Sequence, residues 1–275
     1  DWEKKNHVLL AWTDVGAPSS PKHQFDPATT ATFPDTLRIV DYRTPKWSAD
    51  GARLFFGVQA RDSTDAATKK QSATQSDSAA AASSADPEEY DPADVQVWHT
   101  SDVEIIPRQE VKAEQDRRDN YLAAWHLAAV TCSRWTRLGT ERTEDVQVLH
   151  GGDMAVGLDQ TPYRQERMFG PVYHDLYTID VATGEREKVA EKVQYWEGGS
   201  PTGEHLLWLK DDHYYAYDVQ AETTSNLTDG LPVSVVDTDD DHTVDQKPPF
   251  GVAGWTAGDR SVVIYSEYDA WRVAA

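Results

Sequence analysis

One phrase recurs along the chain, and its recurrence restricts the possible folds more than any other feature. PKWSADGARLFFGV (45–58) returns in looser form as GSPTGEHLLWL (199–209) and as GWTAGDRSVVIY (254–265). In each copy a Trp or Ser opens, a short polar turn follows, and an apolar or aromatic run begins three places later. In register, Gly51, Gly203 and Asp259 share one slot, and the apolar runs are Leu54 to Gly57, Leu206 to Leu209 and Val262 to Tyr265. HGGDMAVGLD (150–159) is a degenerate fourth copy. The last two intervals between copies are then about 50 residues, and the first is about twice that.

A second half-phrase follows the first. HDLYTIDVATGEREKV (174–189) and HYYAYDVQAETTSNLT (213–228) superpose with Asp180 on Asp218 and Val181 on Val219. Alternate residues (Tyr177, Ile179 and Val181, then Tyr215, Tyr217 and Val219) form one apolar face, the period of a half-buried strand. YDAWRV (268–273) starts a further copy, and NYLAAWHLAAVTCSRWTRL (120–138) is a weaker one. Joined, the halves predict strand, tight turn, strand, strand, turn, strand, with Gly or Asp where the turn needs positive φ. A single four-stranded meander cannot bury both of its faces. Arranged radially, each sheet covers its neighbour's face and only short edges remain. The fold class expected is therefore all-β, a β-propeller of four-stranded antiparallel blades. About 50 residues per blade gives four to five blades and an incomplete ring over 1–275, with Trp47 and Trp255 packed between blades.

Two segments fill the long first interval. RDSTDAATKKQSATQSDSAAAASSADPEEYDPA (61–93) has almost no bulky apolar residue and reads as a flexible surface insertion. PRQEVKAEQDRRD (107–119) is a charged run of good helix formers, expected as a short surface helix or ordered loop between the strand-like runs DVQVWH (94–99) and NYLAAWHL (120–127).

The net charge of −21 repels phosphate backbones and argues against nucleic acid as a partner. No basic amphipathic stretch points to a membrane surface, and no apolar run approaches the roughly 20 residues of a spanning helix. The single Cys132 forms no internal disulfide. The chain opens at Asp1-Trp2 with no initiator Met or signal pattern, and reads as a piece of a longer protein.

The blade phrases resemble those of TolB-like and prolyl oligopeptidase-type propellers. Two longer segments, DVQVWHTSDVEIIPRQEVKAEQDRRDNYLAAWHL (94–127) and PPFGVAGWTAGDRSVVIYSEYDAWRV (248–273), are similar to stretches of large bacterial peptidases of the prolyl oligopeptidase family. The likeness covers roughly residues 40 to 275. It implies a parent serine peptidase, in a bacterial periplasmic or secreted setting rather than the cytoplasm, whose Ser-Asp-His triad lies in an α/β-hydrolase domain C-terminal to residue 275. No G-x-S-x-G elbow occurs in this chain. The nearest match, GGSPTG (198–203), places Ser200 before a Pro in a blade turn. No family catalytic residue is carried over, and the expected catalytic, metal and cofactor sets within the chain are empty.

Other candidates have plainer readings. His99 and His126, beside Trp98 and Trp125, are expected to be stacked or hydrogen-bonded structural groups rather than ligands. The acidic run DTDDDHTVD (237–245) could offer oxygens to a hard cation, but it lacks the Gly-punctuated spacing of a calcium loop and reads as a solvated loop. Glu88-Glu89 could grip a peptide amino terminus, as paired glutamates do in some dipeptide-releasing relatives, yet the surrounding motif differs. Cys132 reads as a buried or half-buried thiol, and the NLT at 226–228 as a blade terminus rather than a glycan acceptor. The leading expectation is a non-catalytic propeller that admits peptide substrate and docks on the hydrolase domain of its own parent chain. The alternatives are a TolB-like binding module without an enzymatic partner domain and, more remotely, a propeller glycosidase with paired channel carboxylates.

Overall fold

A computed structural model describes residues 7–16, 20–61, 97–99, 101–127, 134–143, 145–168 and 170–275. The recurring phrase is a recurring turn. Backbone hydrogen bonds close it identically four times: Ser48 N to Arg53 O, Leu149 N to Met154 O, Ser200 N to His205 O, and Thr256 N to Ser261 O. The shared slot is the left-handed residue of that turn, with φ of 69° at Gly51, 77° at Gly152, 83° at Gly203 and 50° at Asp259. Glycine occupies it three times because a Cβ is disfavoured there, and aspartate is among the few residues that tolerate it.

Each turn joins the first two strands of a sheet. Blade I comprises β3 (Leu37–Ile39), β4 (Lys46–Trp47), β5 (Arg53–Ala60), β6 (Tyr121–His126) and β7 (Trp135–Arg137). Both β3 and β4 pair with β5, so the first strand of this blade is broken in two. Blade II is β8 (Asp145–Val148), β9 (Met154–Asp159), β10 (His174–Asp180) and β11 (Arg186–Val193). Blade III is β12 (Tyr195–Gly199), β13 (His205–Lys210), β14 (His213–Asp218) and β15 (Thr223–Asn226). Blade IV holds β16 (Val252–Trp255), β17 (Ser261–Tyr265) and β18 (Ala270–Ala274), and a hairpin of β1 (Leu9–Trp12) and β2 (Lys22–Phe25) precedes blade I. All pairings between these strands are antiparallel.

The second half-phrase closes a second repeated turn. Asp180 Oδ1 accepts Thr183 N, Asp218 Oδ1 accepts Gln220 N and Ala221 N, and the left-handed residue comes four places after each aspartate, at Gly184 and Glu222. The Asn226 of NLT likewise caps a turn, accepting Thr228 N and Asp229 N.

Strand alternation then divides the core between neighbours. Leu54, Phe56, Val58, Ala123 and Trp125 of blade I pack on Leu9, Ala11 and Phe25 of the hairpin. Phe55, Leu122 and Ala124, on the opposite face, meet Val146, Ala155, Ile179 and Val181 of blade II. Val156, Leu158 and Leu176 meet Leu206, Trp208 and Tyr217 of blade III. Leu207, Leu209, Tyr214 and Ala216 meet Val262 and Ile264 of blade IV. The predicted apolar faces of β10 and β14 both look toward the preceding blade, but these strands are not half-buried. Leu176 and Tyr214 on their other faces are fully buried too, because a blade has a neighbour on each side. The all-β blade architecture is thus the observed one.

Polar staples join the turns of adjacent blades. Arg53 pairs with Asp153 between blades I and II. Buried Asp259 of blade IV accepts the Thr202 amide of blade III at 2.8 Å, and His205 stacks on Trp255 with ring centroids 5.5 Å apart. Trp255 therefore packs between blades as expected, whereas Trp47 does not. Trp47 is 45% exposed because β4 is a two-residue edge piece with no strand beyond it. The run 107–119 contains the expected surface helix, α1 (Ile106–Asp116), which buries none of its residues and starts with Pro107 in its first turn. Residues 97–99 are irregular rather than strand. Residues 62–93 of the insertion, Glu88-Glu89 and Cys132 lie outside the described residues.

Candidate functional site

Two clefts flank the junction of blades I and II. The first, of about 810 Å³, lies at the end of the blades away from the repeated turns. One wall is α1 and the residues after it, with Lys112, Asp116 and Asp119; the other is Arg142 and Asp145 before and at the start of β8, with Gln160, Arg164 and Arg167 after β9. Local contacts hold these segments in place. Gln59 of β5 donates to the carbonyls of Arg117 and Asp119, both at 2.9 Å, and so ties the end of the helix to the sheet. Glu104 takes the Lys112 ammonium at 2.7 Å. That hydrogen bond, with Arg108 and Arg167 nearby, holds the Glu104 carboxyl below its usual range. Burial and the neighbouring Asp116 push the Asp119 carboxyl up. Arg167 Nη1 donates to Gln160 Oε1 at 2.8 Å, and the Gln160 amide meets His174 Nε2 at 3.1 Å. The walls carry both signs of charge, Lys112, Arg142 and Arg167 with Glu104, Asp116, Asp119 and Asp145.

The second cleft, also about 810 Å³, runs between β4 and β8, on the first strands of the two blades. Its floor is apolar (Phe55, Leu122, Val146), and Tyr42, Arg43, Lys46, Trp47 and His150 rise around it. Burial lowers the Arg43 pKa, opposed by Asp145, and its Nη1 donates to Asn120 Oδ1 at 3.1 Å.

Beside the first cleft, Asp175 is buried and fully engaged. It accepts Tyr163 Oη at 2.5 Å, Lys188 Nζ at 2.9 Å and the Lys192 amide at 3.1 Å. Burial alone would raise its pKa, but these three donors outweigh it and hold the carboxyl below the aspartate range. Burial and the same hydrogen bond push Tyr163 up to about 12. The Asp175 contribution is complete above the ordinary aspartate pKa and is lost as pH falls through the lower folded value. The Tyr163 contribution is complete below about pH 10 and is lost as pH rises through about 12. Asp175→Asn is expected to cost about 2 kcal/mol at neutral pH. Urea titrations repeated between pH 6 and pH 2 should show that gap shrinking, because wild type loses the Asp175 contribution in addition to the losses the two proteins share.

The residues singled out in the sequence are mostly structural. His126 is buried against Thr136 Oγ1 at 3.0 Å; the Thr136 hydroxyl gives its hydrogen to Ala182 O, so His126 Nε2 is the donor. Burial pushes its pKa down. His99 caps a bend, its Nδ1 accepting Ser101 N and its own amide donating to Asp102. Ser200 is buried in the repeated turn and accepts His205 N. The run 237–245 forms an exposed loop in which Asp240, Asp241 and His242 cluster, with Asp240 Oδ1 already taking the His242 amide and ring. The cleft residues Arg142, Arg164 and Arg167 were not anticipated. For Arg164 and Arg167 the one signal was length: the connection from β9 to β10 spans residues 160–173, where the matching turn of blade III is Asp211-Asp212 alone.

No family model matches the chain, and no curated protein matches it. Solved structures with similar arrangements include TolB from Acinetobacter baumannii, at 12% identity and TM-score 0.33 over 97% of this chain and 51% of that one. Pyrococcus horikoshii acylaminoacyl peptidase gives 15% identity and TM-score 0.36 over 98% of this chain and 37% of that one. Oligogalacturonate lyase from Vibrio parahaemolyticus gives 9% identity and TM-score 0.31 over 92% of this chain and 71% of that one. The chain spans about half the length of the Acinetobacter TolB and about a third of the peptidase. The three named proteins differ in function, and the blade architecture stands on this chain's own strand pairing.

Proposed function

We propose that the chain is the non-catalytic propeller portion of a prolyl oligopeptidase-like serine peptidase, receiving peptides on their way to a hydrolase domain of the same parent protein. One observation carries this reading. The segment 94–127, which bears the more specific resemblance to those peptidases, supplies α1 and with it a whole wall of the loop-end cleft. Peptides carry both signs of charge, and so do the walls they would pass. Selection by such an opening is steric and electrostatic and requires no reactive side chain from the blades.

The test is the reading frame beyond residue 275, followed by assay of its full product. A G-x-S-x-G elbow within a β-α-β pattern, and peptide cleavage blocked by a serine-directed inhibitor, are the expected results. A frame that ends shortly after Ala275, with a stable protein partner captured instead, would leave the TolB-like binding module as the correct reading. The 275-residue chain alone is expected to hydrolyse no prolyl or aminoacyl chromogenic ester.

A further inference from the structure

The cleft between β4 and β8 has an unusual charge for its surroundings. The chain carries a net −21, yet among the described residues not one Asp or Glu lines this cleft, whereas Arg43, Lys46 and His150 do. Lys46 is exposed and makes no ion pair or side-chain hydrogen bond among the described residues. Trp47 and Tyr42, 45% and 38% exposed, stand beside the apolar floor rather than inside a core. Cations and open aromatic faces around an apolar floor suit a ligand with an anionic head and an apolar body.

The backbone narrows the class of ligand. β8 is the edge of its sheet and β4 pairs only with β5, so both of these cleft-lining strands have one side without a strand partner among the described residues. An extended peptide can take up such edge groups as an added strand. Polyanions are disfavoured by the acidic remainder of the protein, so a single carboxylate on an otherwise neutral chain fits best. We propose that this cleft binds the C-terminal end of a peptide, its terminal carboxylate held by Lys46 and Arg43 and its apolar last side chain lying on Trp47. This deepens the peptide-handling reading by naming the end of the peptide that is held, and it rests on that reading for its biological sense.

Binding is read by calorimetry on the purified chain, without turnover, so the outcome is separate from whether a hydrolase domain follows. The probes are N-acetyl-Ala-Ala-Phe as free acid, the same peptide as C-terminal amide, and N-acetyl-Ala-Ala-Ala as free acid. The free acid ending in Phe is expected to bind. The amide should bind at least about tenfold more weakly, the effect of losing a charge-assisted contact, and the Ala-terminated acid should also be weaker. Lys46→Glu should erase the preference for acid over amide, and Trp47→Ala the preference for Phe over Ala. Both side chains are exposed, so neither change threatens folding, which the circular dichroism spectrum checks. Equal binding of acid and amide, no binding of either, or a Lys46→Glu chain that retains the wild-type preference would each overturn the proposal.

Discussion

Trp125→Ala is expected to lower the free energy of unfolding by about 3 to 5 kcal/mol, the range for deleting a large buried aromatic side chain. Trp125 has no exposed surface and lies 5.6 Å, centroid to centroid, from Phe25 of the preceding hairpin. Its removal opens a cavity at the seam between two sheets, and blade I cannot shift to fill it without leaving blade II on its other face. Trp47→Ala is the matched control. That side chain is half out of the structure, and its loss should change stability by no more than about 0.5 kcal/mol. Urea unfolding of the two variants side by side measures both. A Trp125 variant as stable as the Trp47 variant would mean that the hairpin does not pack on blade I.

Gly57→Leu is expected to destabilise by about 3 kcal/mol or more, although the repeat itself would favour it. In register, the Gly57 position holds Leu209 in one copy and Tyr265 in another, so a consensus argument reads glycine as the irregularity. The structure gives the reason. A Cβ on Gly57 would lie 2.6 Å from Val40 Cγ2, 2.8 Å from Asn120 Oδ1 and 2.9 Å from Arg43 Cβ. The chain between β3 and β4 crosses β5 at this point, bonded through Val40 N to Gly57 O. Overpacking at a backbone crossing cannot be relieved by one side-chain rotation, which places the effect at or above the upper end of the usual range. A Gly57→Leu protein with a wild-type unfolding midpoint would show that the crossing is not formed.

What the sequence disclosed follows from what repeats. The left-handed slots at Gly51, Gly203 and Asp259 and the paired Asp180 and Asp218 were legible because backbone geometry admits few residues there, whatever surrounds them. The shared faces of β10 and β14 were legible from alternation. The hairpin of β1 and β2 was not, because it carries no copy of the phrase and its apolar face is only Leu9, Ala11 and Phe25. The exposure of Trp47 was missed for a related reason. The repeat places a tryptophan before the turn but does not show that the strand carrying it is cut short. The clefts were least legible of all. Asp119, Arg142 and Arg167 come from separate segments that only the strand order brings together, as do Lys46 and His150. No local pattern marks a residue whose neighbours lie on other strands' connections, far outside its own stretch of chain.

The central claim is that successive sheets cover one another's faces in chain order. Methyl-to-methyl nuclear Overhauser contacts in a protein labelled at Ile, Leu and Val measure this most directly. The expected cross-peaks join Leu122 to Val146 and Ile179, Leu158 and Leu176 to Leu206, and Leu207 and Leu209 to Val262 and Ile264. None should join blade I to blade III or blade II to blade IV. Cross-peaks that skip a blade, such as Ile179 to Ile264, or the absence of all three expected groups, would contradict the account.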